Sequence, residues 1–192
     1  MFDFITSDTH YGHTNILKFC PSRPWDNVAE MDNGLIQNYN SVVKDHHTVL
    51  FVGDIFFCNS QMAKEILSQL KGNKILVLGN HDRSERAMYN IGFDFVCRRF
   101  DMLIARRLVT ISHFPYRMPL KERLVRKLKG TYYDDRFSKR RVEDKGQWLI
   151  HGHTHAPEKQ KGKQIYVGVD AWDYFPVHIS KIEAIINRAG NE

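Results

Sequence analysis

Five short apolar segments of this chain run directly into side chains that can bind a metal ion. The segments contain mainly Val, Ile, Leu and Phe without polar alternation, which is typical of strands buried on both faces of a sheet. Because ligand sites in open α/β sheets lie at the carboxyl ends of strands, we expect the polar residues that follow to meet in space. The segments are residues 2–6, 49–52, 75–78, 108–112 and 148–150, and the residues that follow them are Asp8, His10, Asp54, Asn80, His81, Asp82, His113, His153 and His155.

Patterns typical of helices lie between these segments. Apolar side chains recur at spacings of three and four over residues 28–43, behind Asp26 or Asn27 as a candidate N-cap. Residues 62–70 show the same pattern, and a capping-box sequence at residues 180–183 predicts the start of a last helix. Strands that alternate with helices predict a layered α/β fold. Further strands are predicted at residues 93–98, 102–105 and 165–169, with a hairpin turn at Arg106 and Arg107.

The composition is that of a soluble globular protein. Of its 192 residues, 42% are hydrophobic and 26% are charged, and the length suits a single domain over residues 1–192. No run approaches the about 20 apolar residues of a membrane helix, and the first residues lack the basic region of a signal peptide, so we expect neither. Three widely spaced cysteines without a C-x-x-C pair argue against a disulfide framework and favour a cytoplasmic protein.

The net charge of +6 is confined to one segment. Residues 117–145 contain eleven Lys or Arg and five Asp or Glu, whereas the rest of the chain is neutral. The segment is either a solvated face or an electropositive lid that steers a phosphate-rich substrate, and Arg117 is a candidate substrate contact. Basic residues with interleaved aromatics also suit nucleic acid, although nothing here indicates that bases are read. The residues that predict an amphipathic basic helix with adjacent aromatics are Leu120, Leu124, Leu128, Tyr132 and Tyr133.

The candidate ligands are carboxylates, imidazoles and one amide, without cysteine. Such donors suit borderline divalent ions such as Mn, Fe, Zn or Ni, and we expect Mn to serve in vitro. Seven to eight ligating groups exceed what one tetrahedral ion takes, so we predict a pair of metal ions. Two neighbouring cations need a bridging carboxylate against their repulsion, together with a bridging water that becomes hydroxide near neutral pH. Asp54, at the end of a central strand, is the candidate bridge.

The order of these motifs resembles the calcineurin-like metallophosphoesterase family, and most closely its small stand-alone bacterial and phage-type members. The family signature reads D-x-H, G-D, G-N-H-[DE], a lone His and G-H-x-H, and all five blocks occur in order between Asp8 and His155. The chain also shares S-D-T-H-Y-G-H at residues 7–13, S-H-F-P at 112–115 and V-G-V-D-A-W-D-Y at 167–174. The resemblance implies a four-layer αββα sandwich, in which two mixed β-sheets are flanked by helices.

The resemblance also implies roles for single residues. His81 corresponds to the histidine that does not bind metal and donates a proton to the leaving group, and Asp82 to the carboxylate that orients it. With Asn80, these two residues form the predicted catalytic set. The first metal ion would be held by Asp8, His10 and His155, the second by Asn80, His113 and His153, and Asp54 would lie between them.

Three further residues are less strongly indicated. His13 follows His10 closely enough to reach a substrate phosphate, or it bonds a backbone carbonyl under the first loop, and both alternatives stay open. His151 is embedded in its strand, which favours a structural role. Asp170 follows an apolar strand, either in a packed turn or at the edge of the pocket. The chain departs from the small family members in the segment that contains residues 117–145, which is longer here.

A protein of this family would hydrolyse phosphodiesters or phosphomonoesters, with nucleotide-like and cyclic nucleotide substrates as candidates. The basic segment makes a metal-dependent nuclease or nucleic-acid end-processing enzyme the alternative, whose activity would fall steeply with salt. A non-catalytic scaffold of the same fold is the second alternative. Relatives of that kind have lost metal ligands or the proton-donating histidine, whereas this chain keeps His81 and every ligand position.

Overall fold

The computed structural model describes residues 1–130 and 137–189, which form two five-stranded sheets and six α-helices. The strands are β1 (Phe4–Thr6), β2 (Thr48–Phe51), β3 (Asn73–Val77), β4 (Phe95–Cys97), β5 (Arg99–Ile104), β6 (Arg107–Ser112), β7 (Trp148–His151), β8 (Gln160–Lys161), β9 (Gln164–Tyr166) and β10 (Val177–His178). The helices are α1 (Ile16–Phe19), α2 (Val28–Val42), α3 (Ser60–Gln69), α4 (Glu85–Ile91), α5 (Leu120–Leu128) and α6 (Ile179–Arg188). The three cysteines are free, as predicted.

The first sheet has the strand order β10-β1-β2-β3-β4, in which β10 is antiparallel and the other strands are parallel. Successive side chains of a strand point to opposite faces, so each strand supplies two cores. On the outer face, Phe51 and Leu76 pack with apolar residues of the helices. Because both faces are covered, these strands show no polar alternation. The helix residues in this core include Met31, Leu35, Ile66, Leu67, Met88 and Ile91.

The second sheet has the strand order β5-β6-β7-β9-β8 and is also mixed, because β6, β7 and β9 are parallel while β5 and β8 are antiparallel to their neighbours. Its inner face packs Ile111 and Ile150 against Leu50 and Val77 of the first sheet, and α6 extends this core. Full burial of each such side chain contributes about 1.5–3 kcal/mol to folding. The predicted α/β fold with two mixed sheets and flanking helices is confirmed.

This architecture brings the ends of five strands to one place. The parallel strands β1, β2 and β3 end side by side, and β6 ends beside β7 in the second sheet. The loops of the two sheets then join, since Ser7 forms an isolated parallel bridge with Gly168. The N–H of Asp8 donates to the carbonyl of Gly53, and that of Gly152 donates to the carbonyl of His113, at 3.1 and 3.0 Å.

Local structure departs from the sequence prediction at two element ends. Helix α6 begins before the predicted capping box, because His178 is its N-cap and accepts the N–H of Ser180 at 3.3 Å. The hairpin between β5 and β6 turns one residue earlier than predicted. Ala105 and Arg106 form it with φ angles of 49° and 60°, the left-handed pair that a tight two-residue hairpin requires. Of the two candidate N-caps of α2, Asn27 takes that position.

Helix α5 lies in the basic segment as predicted, but none of its residues is buried. Leu120 and Leu124 are 68% and 53% exposed, so this helix adds nothing to the described core. The segment is anchored elsewhere, since Val142 is buried and its carbonyl accepts the N–H of Arg117. The predicted aromatic residues Tyr132 and Tyr133 lie outside the described residues. No helix in the described ranges is long and apolar enough to cross a lipid bilayer.

Candidate metal centre

The predicted metal ligands converge in two groups where the strand ends of both sheets meet. Within each group, the candidate ligand atoms lie within 4.8 Å of one another. Each group combines a residue from a loop of the first sheet with a histidine that follows a strand of the second, so neither sheet alone builds either group. The first group is Asp8, His10 and His155, and the second is Asp54, His113 and His153.

Asp54 lies between the two groups. Its Oδ2 atom is 3.2 Å from Nε2 of His113 in the second group and 3.9 Å from Nε2 of His10 in the first. The Oδ1 atom of Asn80 is 3.2 Å from the same nitrogen of His113, which adds an amide oxygen to the second group. One carboxylate oxygen is therefore adjacent to donor atoms of both groups.

The backbone of the site adopts a conformation that most residues avoid. Among the described residues, nine other than glycine have a positive φ, and five of these nine are predicted metal ligands. Left-handed backbone costs on the order of 1–2 kcal/mol for a residue with a side chain, and such residues cluster at functional sites. The five are Asp8, His10, Asp54, His153 and His155, with φ angles between 49° and 74°.

Two glycines of the motifs are required by the close approach of the loops. A Cβ atom on Gly79 would collide with Oδ1 of Asp54, and one on Gly152 would collide with the hydroxyl of Ser7. Neither collision can be relieved without moving a ligand, because the hydroxyl of Ser7 donates to the carboxylate of Asp8 at 2.8 Å. The G-N and G-H pairs of the sequence therefore reflect packing of the ligand loops.

Second hydrogen bonds orient the histidines so that Nε2 faces the site. Nδ1 of His113 donates to the carbonyl of Val52 at 2.8 Å, and Nδ1 of His155 donates to the carboxylate of Asp170 at 2.8 Å. Because a carbonyl and a carboxylate only accept, the proton of each neutral ring lies on Nδ1 and the lone pair on Nε2 points inward. Metal-binding histidines show this arrangement.

The donor set fits divalent metal ions. The Nε2 atom of His10 is buried in the centre and has no hydrogen-bond partner within the described parts of the chain. A buried polar atom without a partner is costly, and a bound cation would satisfy this one. Imidazole nitrogens, carboxylates and an amide oxygen suit borderline divalent ions, which agrees with the metal dependence expected from the sequence.

Burial and neighbouring charges shift the pKa values of the ligand histidines in opposite directions. Burial lowers the pKa of His10 to about 2. Burial also disfavours the protonated form of His113, but the negative charge of Asp54 and its hydrogen bond to the ring raise the pKa of His113 to about 9. The pKa of His155 rises to about 10 in the same way, mainly through Asp170. Without metal, His113 and His155 are therefore protonated near neutral pH, and their positive charges pair with Asp54 and Asp170.

The hydrogen bonds of Asp82 differ from the orienting role implied by the resemblance. Its carboxylate accepts the backbone N–H groups of Asp54, Ile55 and Gly79 at 2.9, 3.1 and 2.8 Å. Within the described residues, no hydrogen bond joins it to the side chain of His81. Asp82 therefore holds the loop of Asp54 against the next strand end and positions this candidate ligand.

His81 lies at the mouth of the centre. Its side chain is exposed, and its ring centroid is 5.5 Å from that of His10 and 5.2 Å from that of Phe57. Its backbone N–H donates to Oδ1 of Asp54 at 2.9 Å. His13 stacks on Phe57 with ring centroids 4.0 Å apart, and its Nδ1 is 3.2 Å from Nδ1 of His10. Among the described residues, the ring of His13 makes no hydrogen bond to a backbone carbonyl and lies beside His10 at the rim, and its contact with a substrate phosphate stays a prediction.

A buried arginine that sequence reasoning missed connects the first motif to the last. Nε and Nη2 of Arg23 donate to the two carboxylate oxygens of Asp170 at 2.8 and 3.1 Å. The same guanidinium donates to the carbonyls of Asp8 and Thr9 at 2.7 and 3.0 Å. Since Asp170 also accepts from His155, one buried ion pair positions a candidate ligand from each end of the chain. Arg23 belongs to no motif, so nothing local in the sequence could indicate this role.

Replacement of Asp170 by Asn is expected to weaken metal binding and the fold together. The affinity for Mn should fall about 10- to 100-fold, as it does when an outer partner of a metal-binding histidine is lost. The free energy of unfolding should fall by about 3 kcal/mol, because Arg23 is left buried without its counter-charge. Calorimetric titration and urea unfolding measure the two effects. Asp173→Asn is the matched control, since Asp173 is an exposed aspartate three residues further along the chain. Equal Mn affinity and equal stability of the two variants would contradict the positioning role of Asp170.

Arg117 and His151, two other residues of the sequence analysis, belong to neither group of candidate ligands. The guanidinium of Arg117 pairs with Glu143 at 2.8 Å and donates to the carbonyl of Ser138 at 3.1 Å. It lines a groove whose described lining includes no predicted metal ligand. His151 is buried, and its Nδ1 donates to the carbonyl of Gly152 at 2.7 Å, which agrees with a structural role.

Comparison with known proteins supports the same conclusion. The sequence profile of the calcineurin-like phosphoesterase superfamily domain matches residues 1–169. An uncharacterized protein of Methanocaldococcus jannaschii is 32% identical over 197 residues, which cover 96% of this chain and 91% of that protein. The gene 66 protein of Mycobacterium phage L5 is 31% identical over 192 residues, which cover 88% of this chain and 86% of that protein.

The fold also matches a solved structure. The crystal structure of a protein of unknown function from Aquifex aeolicus superposes with a TM-score of 0.67 and 24% sequence identity, and the match covers 95% of this chain and 97% of that one. This likeness concerns the fold, whereas the profile match and the curated relatives concern the sequence. The chain therefore belongs to the calcineurin-like phosphoesterase superfamily and is a metal-dependent hydrolase of phosphoric esters.

Proposed function

We propose that this chain hydrolyses phosphodiesters or phosphomonoesters at a dinuclear metal centre formed by the two ligand groups. The observation that carries the proposal is the position of Asp54 Oδ2, adjacent to His10 of the first group and His113 of the second. A single carboxylate oxygen in this position can face two cations and offset their repulsion. Asn80 would add a neutral oxygen to the second group, and each ion would have candidate ligands from both sheets.

The chain's own residues hold the centre and move a proton. When bound, two divalent ions would polarise the phosphoryl oxygens and make a water molecule nucleophilic near neutral pH. The departing alkoxide needs a proton, and an imidazole beside the centre is suited to donating it. His81 is the candidate donor, because its exposed ring lies at the mouth of the site and 5.5 Å from the ring of His10.

A nucleotide-like ester is the proposed substrate class. Phe57 and Phe19 are 46% and 71% exposed, and the ring of His13 lies next to both, with centroid distances of 4.0 and 6.1 Å. Exposed aromatic rings beside a phosphoester centre offer a surface on which a nucleobase can stack. The scaffold alternative is disfavoured, because the ligand groups are complete and His81 is accessible.

Hydrolysis of p-nitrophenyl esters with added Mn tests the proposed function. We expect turnover of the diester bis-p-nitrophenyl phosphate or of the monoester p-nitrophenyl phosphate, and none in the presence of a chelator. A panel of cyclic nucleotides and nucleoside monophosphates under the same metal condition then identifies the ester class. Titration calorimetry with Mn alone should show two ions bound per chain. A stoichiometry of one, or no turnover with Mn, Fe, Zn or Ni, would contradict the dinuclear proposal.

Metal binding is expected to release protons and to strengthen as the pH rises. The pKa values of His113 and His155 in the metal-free protein are about 9 and 10, so both rings are protonated near neutral pH. A ligating imidazole must lose its proton, and binding should therefore release up to two protons from these rings. Below a pH of about 9, the affinity for the ions should rise up to about 100-fold per pH unit. Calorimetry in buffers of different ionisation enthalpy counts the protons; an affinity independent of pH would contradict the expectation.

A further inference from the structure

A groove on the outer face of the second sheet is lined mainly by basic side chains. It encloses about 1130 Å³ between strands β5 and β6 and the chain around residues 139–147. Seven of the residues that line it are Lys or Arg, and two are Asp or Glu. We call it the basic groove, and the residues that define it in the following argument are Arg99, Arg107, Arg117, Lys139, Lys145 and Lys163.

The two carboxylates do not neutralise the basic groove. Glu143 pairs with Arg117 at 2.8 Å and offsets that one charge, and Asp101, which accepts the hydroxyl of Thr110 at 2.7 Å, offsets at most one more, so the seven basic residues exceed the two carboxylates by five charges. For Arg99 and Arg107, the described part of the chain shows no ion pair, and both side chains are exposed. The groove therefore presents excess positive charge, which attracts an anionic ligand by charge complementarity.

The basic groove lies beside a second cavity that reaches the candidate metal centre. A second cavity of about 590 Å³ is lined by Asn80, a candidate ligand of the centre, and by the basic residues Arg98 and Arg140. Arg99 and Lys139 line both cavities. The two cavities therefore adjoin at these two basic side chains, so one basic surface extends from beside Asn80 to the outer face of the second sheet. It combines strand residues of the neutral part of the sequence with residues of the basic segment.

We propose that the basic groove binds the phosphate backbone of a nucleic-acid strand whose scissile phosphodiester lies at the metal centre. This inference rests on the proposed function and specifies its substrate. A mononucleotide would occupy the centre and leave the groove empty, whereas a strand places a phosphate beside each basic residue in turn. Of the apolar residues that line the groove, Leu108 is 53% exposed and Val142 and Trp148 are buried, so the described lining offers no exposed aromatic ring to a base and recognition concerns the backbone. Since the groove is concave, it suits a strand better than a flat anionic membrane.

Binding of a labelled oligonucleotide to the metal-free protein tests this proposal without catalysis. Fluorescence anisotropy with single-stranded DNA and RNA of about 12 nucleotides, in the presence of a chelator, reports the affinity for each kind of strand. The double variant Arg99→Gln/Arg107→Gln should raise Kd about tenfold and reduce the slope of log K against log salt by about 1.4. The matched control is Lys64→Gln/Lys181→Gln, which removes the same charge from exposed positions of α3 and α6.

The outcomes separate this inference from the proposed function. Weaker binding of DNA or RNA in the groove variant alone supports the groove, whether or not the p-nitrophenyl esters are hydrolysed. If the protein hydrolyses both the oligonucleotide and bis-p-nitrophenyl phosphate, kcat/KM for the oligonucleotide should fall in the groove variant relative to kcat/KM for bis-p-nitrophenyl phosphate. Equal binding by the groove and control variants would overturn the inference. So would binding to phosphatidylglycerol vesicles or polyglutamate without binding to either strand.

Discussion

Asp54→Asn is expected to lower hydrolysis of phosphate esters by at least about 10³-fold in the presence of Mn. Stabilisation of the transition state by a metal centre amounts to several kcal/mol, and each 1.4 kcal/mol corresponds to about a factor of ten in rate. The substitution removes the charge that lies between His10 and His113. The affinity for Mn should fall at least about 100-fold, since even outer partners of metal ligands contribute 10- to 100-fold.

The fold should survive this substitution. Asn tolerates the left-handed backbone that Asp54 adopts at a φ of 57°, and its amide oxygen can still accept the N–H of His81. Asp173→Asn is the matched control, because Asp173 is an exposed aspartate with a φ of 56°. Calorimetry and steady-state kinetics measure both effects. If Asp54→Asn bound two Mn ions as tightly as the control, Asp54 would not be the shared ligand.

His81→Ala is expected to slow hydrolysis according to the leaving group. Alkyl and nucleoside esters release a basic alkoxide that needs a proton, so their rate should fall about 10²- to 10⁴-fold. Aryl esters such as bis-p-nitrophenyl phosphate release a stable phenolate, so their rate should fall less than about tenfold. The contrast in kcat between the two kinds of ester assigns a proton donor, because a merely structural role would slow both equally.

Stability and metal binding should not change in this variant. The side chain of His81 is exposed, and its backbone N–H to Asp54 remains in Ala. His46→Ala serves as the control, since His46 is an exposed histidine on the loop before β2. A parallel fall in rate for alkyl and aryl esters, or a loss of Mn affinity, would exclude His81 as the donor.

The fold class and most of the candidate site could be predicted from the sequence because both leave local patterns. Segments such as residues 49–52 lack polar alternation because both faces of their strands are buried, and the glycines of G-D, G-N and G-H permit loops that a Cβ atom would block. Parallel strands place their carboxyl ends together, so the order of the polar residues that follow them was enough to predict a shared centre. The alternatives left open for His13 depended on ring packing that no spacing reveals.

Other features depended on contacts between residues far apart in the chain. The role of Arg23 could not be predicted from the sequence, because its hydrogen bond to Asp170, 147 residues later, belongs to no periodicity or motif. Asp82 looked like the partner of its neighbour His81, yet its carboxylate accepts three backbone N–H groups that only the folded loops bring together.

The sequence by itself determined which polar side chains the protein has and which strand each of them follows at the shared edge of the sheets. Only the tertiary structure decided which of these side chains lie next to the same residue. Asp54 comes to lie between His10 and His113 because two separate sheets pack face to face. Arg99 and Arg107 belong to a part of the sequence without net charge, and they form a basic surface because β5 and β6 lie beside residues 139–147. A basic surface requires charged side chains that lie close together in space, and the order of residues in a sequence gives their charges but not these distances.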